Sequence, residues 1–141
     1  MRERLPALVA ALWWGSRSTI RFVAVPLLFA HLPTPAMAGT LAAKLFAAQT
    51  WVSVVCCMGL LLISRPKMAV TPYPWARAAM LFIVGGLLLA LVVQYGVSPR
   101  IVARQDLKFW HGLGTLLYTL QWACALVTLW HTLRKSQPPQ D

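Results

Sequence analysis

Long apolar runs along the chain are separated by short polar breaks. Crossing the hydrocarbon of a bilayer takes about 20 predominantly apolar residues. Four stretches reach that length, about 13–32, 41–64, 75–96 and 108–131. The breaks carry turn residues: Pro33, Pro35 and Gly39 in the first, Pro66, Pro72 and Pro74 in the second, and Ser98-Pro99 opening the third. Short breaks make successive helices antiparallel neighbours. The pattern predicts an all-α protein, an integral membrane four-helix up-down bundle, as a single domain over residues 1–135 with a polar tail at 136–141. Ser98-Pro99 reads as an N-cap with proline at the first helical position. Arg100 and Arg104 then share one face of a short interfacial helix.

Composition removes the competing classes. Of 141 residues, 59% are apolar and 11% charged, against roughly a quarter charged in an ordinary soluble domain. A soluble globule of this size cannot hide that much apolar surface, and a disordered chain needs low hydrophobicity. The formal charge of +10 comes from basic residues scattered singly, so no nucleic-acid partner is expected.

The same residues set the expected orientation. Arg2, Arg4, Arg65, Lys67, Arg77, Arg134 and Lys135 fall on the side of the N-terminus. Lys44, Arg100, Arg104 and Lys108 fall on the other, partly offset by Asp106. Seven against four places both termini in the cytoplasm. Ala36-Met37-Ala38 has the form of a signal-peptide cleavage site. The segment before it is too long and holds Trp13, Trp14, Arg17 and Arg21, so an uncleaved first helix is the better reading.

Arg17 and Arg21 lie four residues apart inside an apolar segment and share a helix face. With Trp13 and Trp14 as an inner aromatic belt, Arg17 lies roughly 6 Å deep and snorkels to the headgroups, whereas Arg21, about 12 Å deep, stays near mid-membrane. No acid is placed to neutralise Arg21, which makes it a candidate for holding an anion or a cofactor carboxylate. A second cluster lies at the outer face. His31 ends helix 1, Lys44 begins helix 2, Arg100, Arg104 and Asp106 occupy the third break, and His111 sits one turn into helix 4. His31 and His111 at one level can ligate haem iron or copper, or simply hydrogen-bond at the interface. Lys44, Arg100 and Arg104 suit a phosphate or an anionic lipid headgroup. Asp106 reads as the N-cap of helix 4, and His131 with Trp130 as interface residues.

Cys56, Cys57 and Cys124 fall within spans and give no disulfide framework; with Met58 they allow a copper reading, but helix core is the simpler one. His111, Thr115, Tyr118 and Trp122 form one stripe of helix 4, and Gln49 and Ser53 recur on helix 2. Gln94 lies near the outer end of helix 3. Such groups face the interior of a bundle. Ala43 with Ala47, and Gly86 with Ala90, allow close helix approach.

Several phrases carry a resemblance: Leu12-Trp13-Trp14-Gly15-Ser16, then Pro26-Leu27-Leu28-Phe29-Ala30-His31-Leu32-Pro33, then Gly39 and Lys44-Leu45-Phe46. Later come Ser98-Pro99-Arg100-Ile101-Val102-Ala103-Arg104 and Leu107-Lys108-Phe109-Trp110-His111-Gly112-Leu113-Gly114. Over about residues 10–133 the chain resembles the transmembrane protein 205-like four-helix membrane family labelled domain of unknown function 4149. Arg17 and Arg21 depart from its pattern. The resemblance implies a four-helix fold in a bacterial inner membrane and no established activity. The family is remotely similar to copper-resistance-D-like proteins and to four-helix J-type protoporphyrinogen oxidases, which implies haem b or copper only by analogy of fold.

No catalytic constellation stands out, so the residues lean away from an enzyme. The first expectation is an accessory or lipid-associating protein whose partners are anionic lipid, another membrane protein or a second copy. The alternatives are a haem or copper redox protein using His31 and His111 at the periplasmic face, and a transporter of a small substrate with Arg21 in its path.

Overall fold

The computed structural model describes residues 4–64 and 74–134. The described residues form four helices. Helix α1 runs from Leu5 to Thr19 and continues through a π-helical stretch, Ile20–Ala24, into Val25–His31. Helix α2 is Pro35–Ser64. Helix α3 is Pro74–Leu91, continued through a π-helical stretch, Val92–Val97, into Ser98–Val102. Helix α4 is Leu107–Leu133. Three segments are long and apolar enough to cross a membrane: Pro35–Ser64, Ala76–Val102 and Leu107–Leu133. In α1 the apolar run is interrupted by Arg17 and Arg21.

Three boundaries differ from the sequence expectation. Helix α1 starts at Leu5, with Pro6 in its first turn, well before Trp13. Pro35 and Gly39 belong to α2, because Thr34 caps it: its Oγ1 accepts from the Met37 amide at 3.2 Å, and proline fits the first helical position. Ala38, in the supposed cleavage motif, is buried in that helix. Ser98-Pro99 does not open a separate interfacial helix; it extends α3. Pro66 and Pro72 and the 136–141 tail lie outside the described residues.

Each π-helical stretch ends two residues before a proline, Pro26 or Pro99. Proline cannot donate to the carbonyl four residues back and clashes with it. Those carbonyls belong to Phe22 and Tyr95, both inside the π stretches. The wider turn re-registers the ladder so that each helix continues past its proline without breaking.

Helix α1 packs on α2 and α4, and α3 packs on the same two, so the four helices close a ring. Val9 meets Gly59 while Ser16 bonds to Gln49, so α1 and α2 run in opposite directions. Phe82 stacks on His131 while Val97 meets Gly114, so α3 and α4 do too. The core is built from Ala10, Trp13, Cys56, Cys57, Leu60, Ala76, Ala79, Ile83 and Ala125. Small residues let the backbones approach, and the Trp13 ring fills the space beside Gly86. Large apolar side chains such as Leu8, Phe22, Trp51, Val55, Leu62 and Leu81 point outward, the surface a bilayer covers.

Between α3 and α4 the chain turns through a Schellman motif: the Arg104 amide bonds to the Ile101 carbonyl at 3.0 Å and the Gln105 amide to the Arg100 carbonyl at 3.1 Å. Asp106 caps α4 as expected, with Oδ1 accepting from the Phe109 amide at 3.5 Å. That bond is long, so Asp106→Ala is expected to cost about 0.5 kcal/mol, the low end for an N-cap. Thermal unfolding in detergent checks it, with Asp106→Asn retaining wild-type stability.

Candidate functional site

Two groups of polar residues stand apart from the apolar framework. The first is inside the ring. On α1, Ala10, Trp13 and Arg17 recur at helical spacing and are all buried, with Arg17 only 1% exposed. Its guanidinium donates from Nη1 to Ser53 Oγ at 3.1 Å and from Nη2 to the Tyr118 carbonyl at 3.4 Å. The guanidinium carbon lies 4.0 Å from the Tyr118 ring centroid, and the Tyr118 hydroxyl donates back to the Arg17 carbonyl at 3.1 Å. The network continues through α2. Ser53 Oγ donates to the Gln49 carbonyl, Gln49 Nε2 donates to Ser16 Oγ at 3.0 Å, and Ser16 Oγ donates to the Trp13 carbonyl. One turn away, Trp122 Nε1 donates to Ser18 Oγ at 2.8 Å, and its ring packs on Trp14 and Phe22.

This overturns the snorkelling expected of Arg17. Arg17 does not snorkel. Its Cα sits on the inward face of α1 about 18 Å from the start of the helix, so its side chain meets Ser53 and Tyr118 before any headgroup. Arg21, one turn on, is only half-buried, with its guanidinium carbon 5.8 Å from the same Tyr118 centroid. Trp13 is not an interfacial anchor either; it is fully buried.

No carboxylate among the described residues answers the Arg17 charge, since Asp106 is exposed outside the bundle. The desolvation penalty of a buried ion is still several kcal/mol after relaxation. A desolvated cation–π contact offsets about 2 kcal/mol, and each hydrogen bond from a charged group about 1.5–3 kcal/mol. These terms roughly cancel, so Arg17 is tolerated here without being a source of stability. Among the described residues, the buried side-chain polar atoms left without a partner are Arg17 Nε, Trp13 Nε1 and Trp14 Nε1.

The second group lies at the α3–α4 connection. Arg100 stacks on Trp110, its guanidinium carbon 4.5 Å from the ring centroid, and donates to the Gly96 carbonyl. Arg104 is exposed and has φ 54°, a left-handed conformation at the position after the helix cap where glycine is favoured. Lys108 is exposed in the first turn of α4.

The other sequence candidates are dispersed. Lys44 is exposed and lines a shallow depression with Ala36, Met37, Thr40 and Leu41, all on α2. It lies about 13 Å along α2 from Pro35 and leans back towards the α1–α2 connection. His31 and His111 are both exposed, and His31 Nδ1 lies 3.0 Å from the Leu27 carbonyl of its own helix. No group of three or more His, Cys, Asp or Glu among the described residues could hold a metal ion. Exposed histidines do not fit a haem held inside the bundle. On α4, Tyr118 is buried and Trp122 half-buried, but His111 and Thr115 of the same stripe face outward. Gln49 and Ser53 are buried as expected, while Gln121 and Thr128, also buried, lie off that stripe. Cys56 and Cys57 are buried in the core.

Apolar helices of spanning length around a sequestered polar network define a helical multi-pass membrane protein. The chain belongs to the DUF4149 family, a domain of unknown function, whose model matches residues 8–109. No curated protein and no solved structure matches it. The match spans α1 to α3 and the basic connection, and it ends before Tyr118 and Trp122.

Proposed function

We propose that this protein is a non-enzymatic component of a bacterial inner membrane, crossing it four times as an up-down bundle with both termini cytoplasmic, and acting by association with anionic lipid at its outer rim. Arg104 carries this reading. A non-glycine residue in the left-handed region costs about 1–2 kcal/mol, and a long cationic side chain is kept there where glycine would relieve the strain. Arg100 is held on the Trp110 face and Lys108 stands in the first turn of α4, the combination of aromatic and base that suits the phosphate level of a membrane. Partner subunits or a second copy would dock through the apolar flanks.

The expected result concerns stability and lipid together. Arg104→Gly raises the thermal midpoint in detergent, because the strain is removed. The same variant, combined with Arg100→Gln and Lys108→Gln, retains several-fold less phosphatidylglycerol or cardiolipin through purification, read by lipid mass spectrometry. Equal anionic-lipid retention by wild type and the triple variant overturns the proposal.

A further inference from the structure

The interior network poses a separate problem. Arg17 and Arg21 approach one ring, Tyr118, and no acid among the described residues balances them. Every hydrogen bond that Arg17 makes goes to a neutral oxygen. The buried polar atoms without a partner are all N–H donors, and all three sit within one turn of α1, at Trp13, Trp14 and Arg17. A surplus of donors beside two cations is complemented by a guest that only accepts hydrogen bonds and carries negative charge. The nearby hydroxyl oxygens already serve as acceptors elsewhere: Ser53 Oγ accepts from Arg17 Nη1 and Ser16 Oγ from Gln49 Nε2. A buried orphan donor in a native interior is explained by an ion or water as its partner.

We propose that the middle of α1, at Arg17 and Arg21 against Tyr118, binds a small monovalent anion such as a halide or a short carboxylate. Arg17 supplies fixed positive charge from the interior. Arg21 is half-buried and supplies the second cation on the accessible side. Both guanidinium groups approach the Tyr118 ring, at 4.0 and 5.8 Å from its centroid, and Phe46 packs on that ring edge to face at a centroid distance of 5.1 Å. The π-helical stretch Ile20–Ala24, which contains Arg21, is a feature that recurs at functional sites. This inference does not rest on lipid binding at the rim, and either can fail alone.

The test uses the purified full-length protein in detergent at constant ionic strength, with sodium gluconate replaced stepwise by sodium chloride, bromide or formate. Tryptophan emission and the thermal midpoint are read together, since Trp14 and Trp122 pack beside the site. The expected result is a saturable change in emission and a midpoint rise of several degrees, as mass action requires of a ligand that binds the folded state. Arg21→Gln, a half-exposed position that leaves the Arg17 contacts in place, abolishes both. The rim variant Arg100→Gln with Arg104→Gly keeps both. A wild-type protein indifferent to every anion overturns the proposal, as does an equal response in Arg21→Gln. Stabilisation by added phosphatidylglycerol alone also overturns it, because the source is then a lipid headgroup.

Discussion

Arg17→Met is expected to leave the bundle as stable as the wild type or more so, by up to about 3 kcal/mol, although it removes the most buried charge in the described chain. Replacing a buried ion by an apolar side chain of similar volume is often neutral or stabilising by about 1–4 kcal/mol. The groups that Arg17 touches do not become orphans. Ser53 Oγ still donates to the Gln49 carbonyl, and the Tyr118 carbonyl lies within α4, where the helix ladder serves it. Tyr118 keeps its bond to the backbone carbonyl of residue 17, which the substitution does not alter. Ser53→Ala in the native background has the opposite effect, because it strands Arg17 Nη1 in the interior. That costs about 1–3 kcal/mol. In the Arg17→Met background the same Ser53→Ala is near neutral. A double-mutant cycle read by thermal or denaturant unfolding in detergent measures the difference. A loss in Arg17→Met as large as in Ser53→Ala would show that the arginine itself stabilises the fold. The expected pattern means that Arg17 is retained for something other than stability, as an anion site requires.

Gly86→Val is expected to destabilise strongly. A Cβ built at Gly86 meets Trp13 Cη2 at 2.6 Å and Cζ2 at 2.7 Å. The Trp13 ring has no exposed surface to move towards, so α1 and α3 must separate. Overpacking of a well-filled core costs about 1–3 kcal/mol, and valine adds two more methyl groups to the clash. Gly86→Ala falls lower in that range. Trp13→Leu is itself destabilising through the cavity it leaves, but it accommodates part of the new side chain. The double variant Trp13→Leu with Gly86→Val is therefore more stable than the sum of the single effects predicts. Strict additivity would place the cost of Gly86→Val somewhere other than the Trp13 contact.

Much of the interior was legible from residue type. Gln49, Ser53 and Tyr118 are polar residues in apolar runs, and a bilayer leaves such groups nowhere to go but inward. Gly86 stood out as a small residue in a long apolar helix. Arg17 was read as a snorkelling residue because its depth was counted from Trp13, which is itself buried. Thr34-Pro35 and Leu5-Pro6 were the available boundary signals, an N-cap before proline and a proline in a first turn. The start at Leu5 puts Arg17 near the middle of the helical stretch Leu5–His31. The rim was half-legible. Arg100, Arg104 and Asp106 could be grouped by proximity, but not assigned to the Schellman motif that places Arg104 in a left-handed conformation.

The sequence by itself determined the class of protein and the helix count. Apolar run length and turn chemistry are local, and they act through the few residues on either side. Only the tertiary structure decided which arginine is buried. That depends on whether α2 and α4 offer acceptors at the same level as the guanidinium, a contact between residues 36 and 101 positions apart. No local pattern encodes that register. It follows from Trp13 seating beside Gly86, which fixes how far α1 slides along its neighbours.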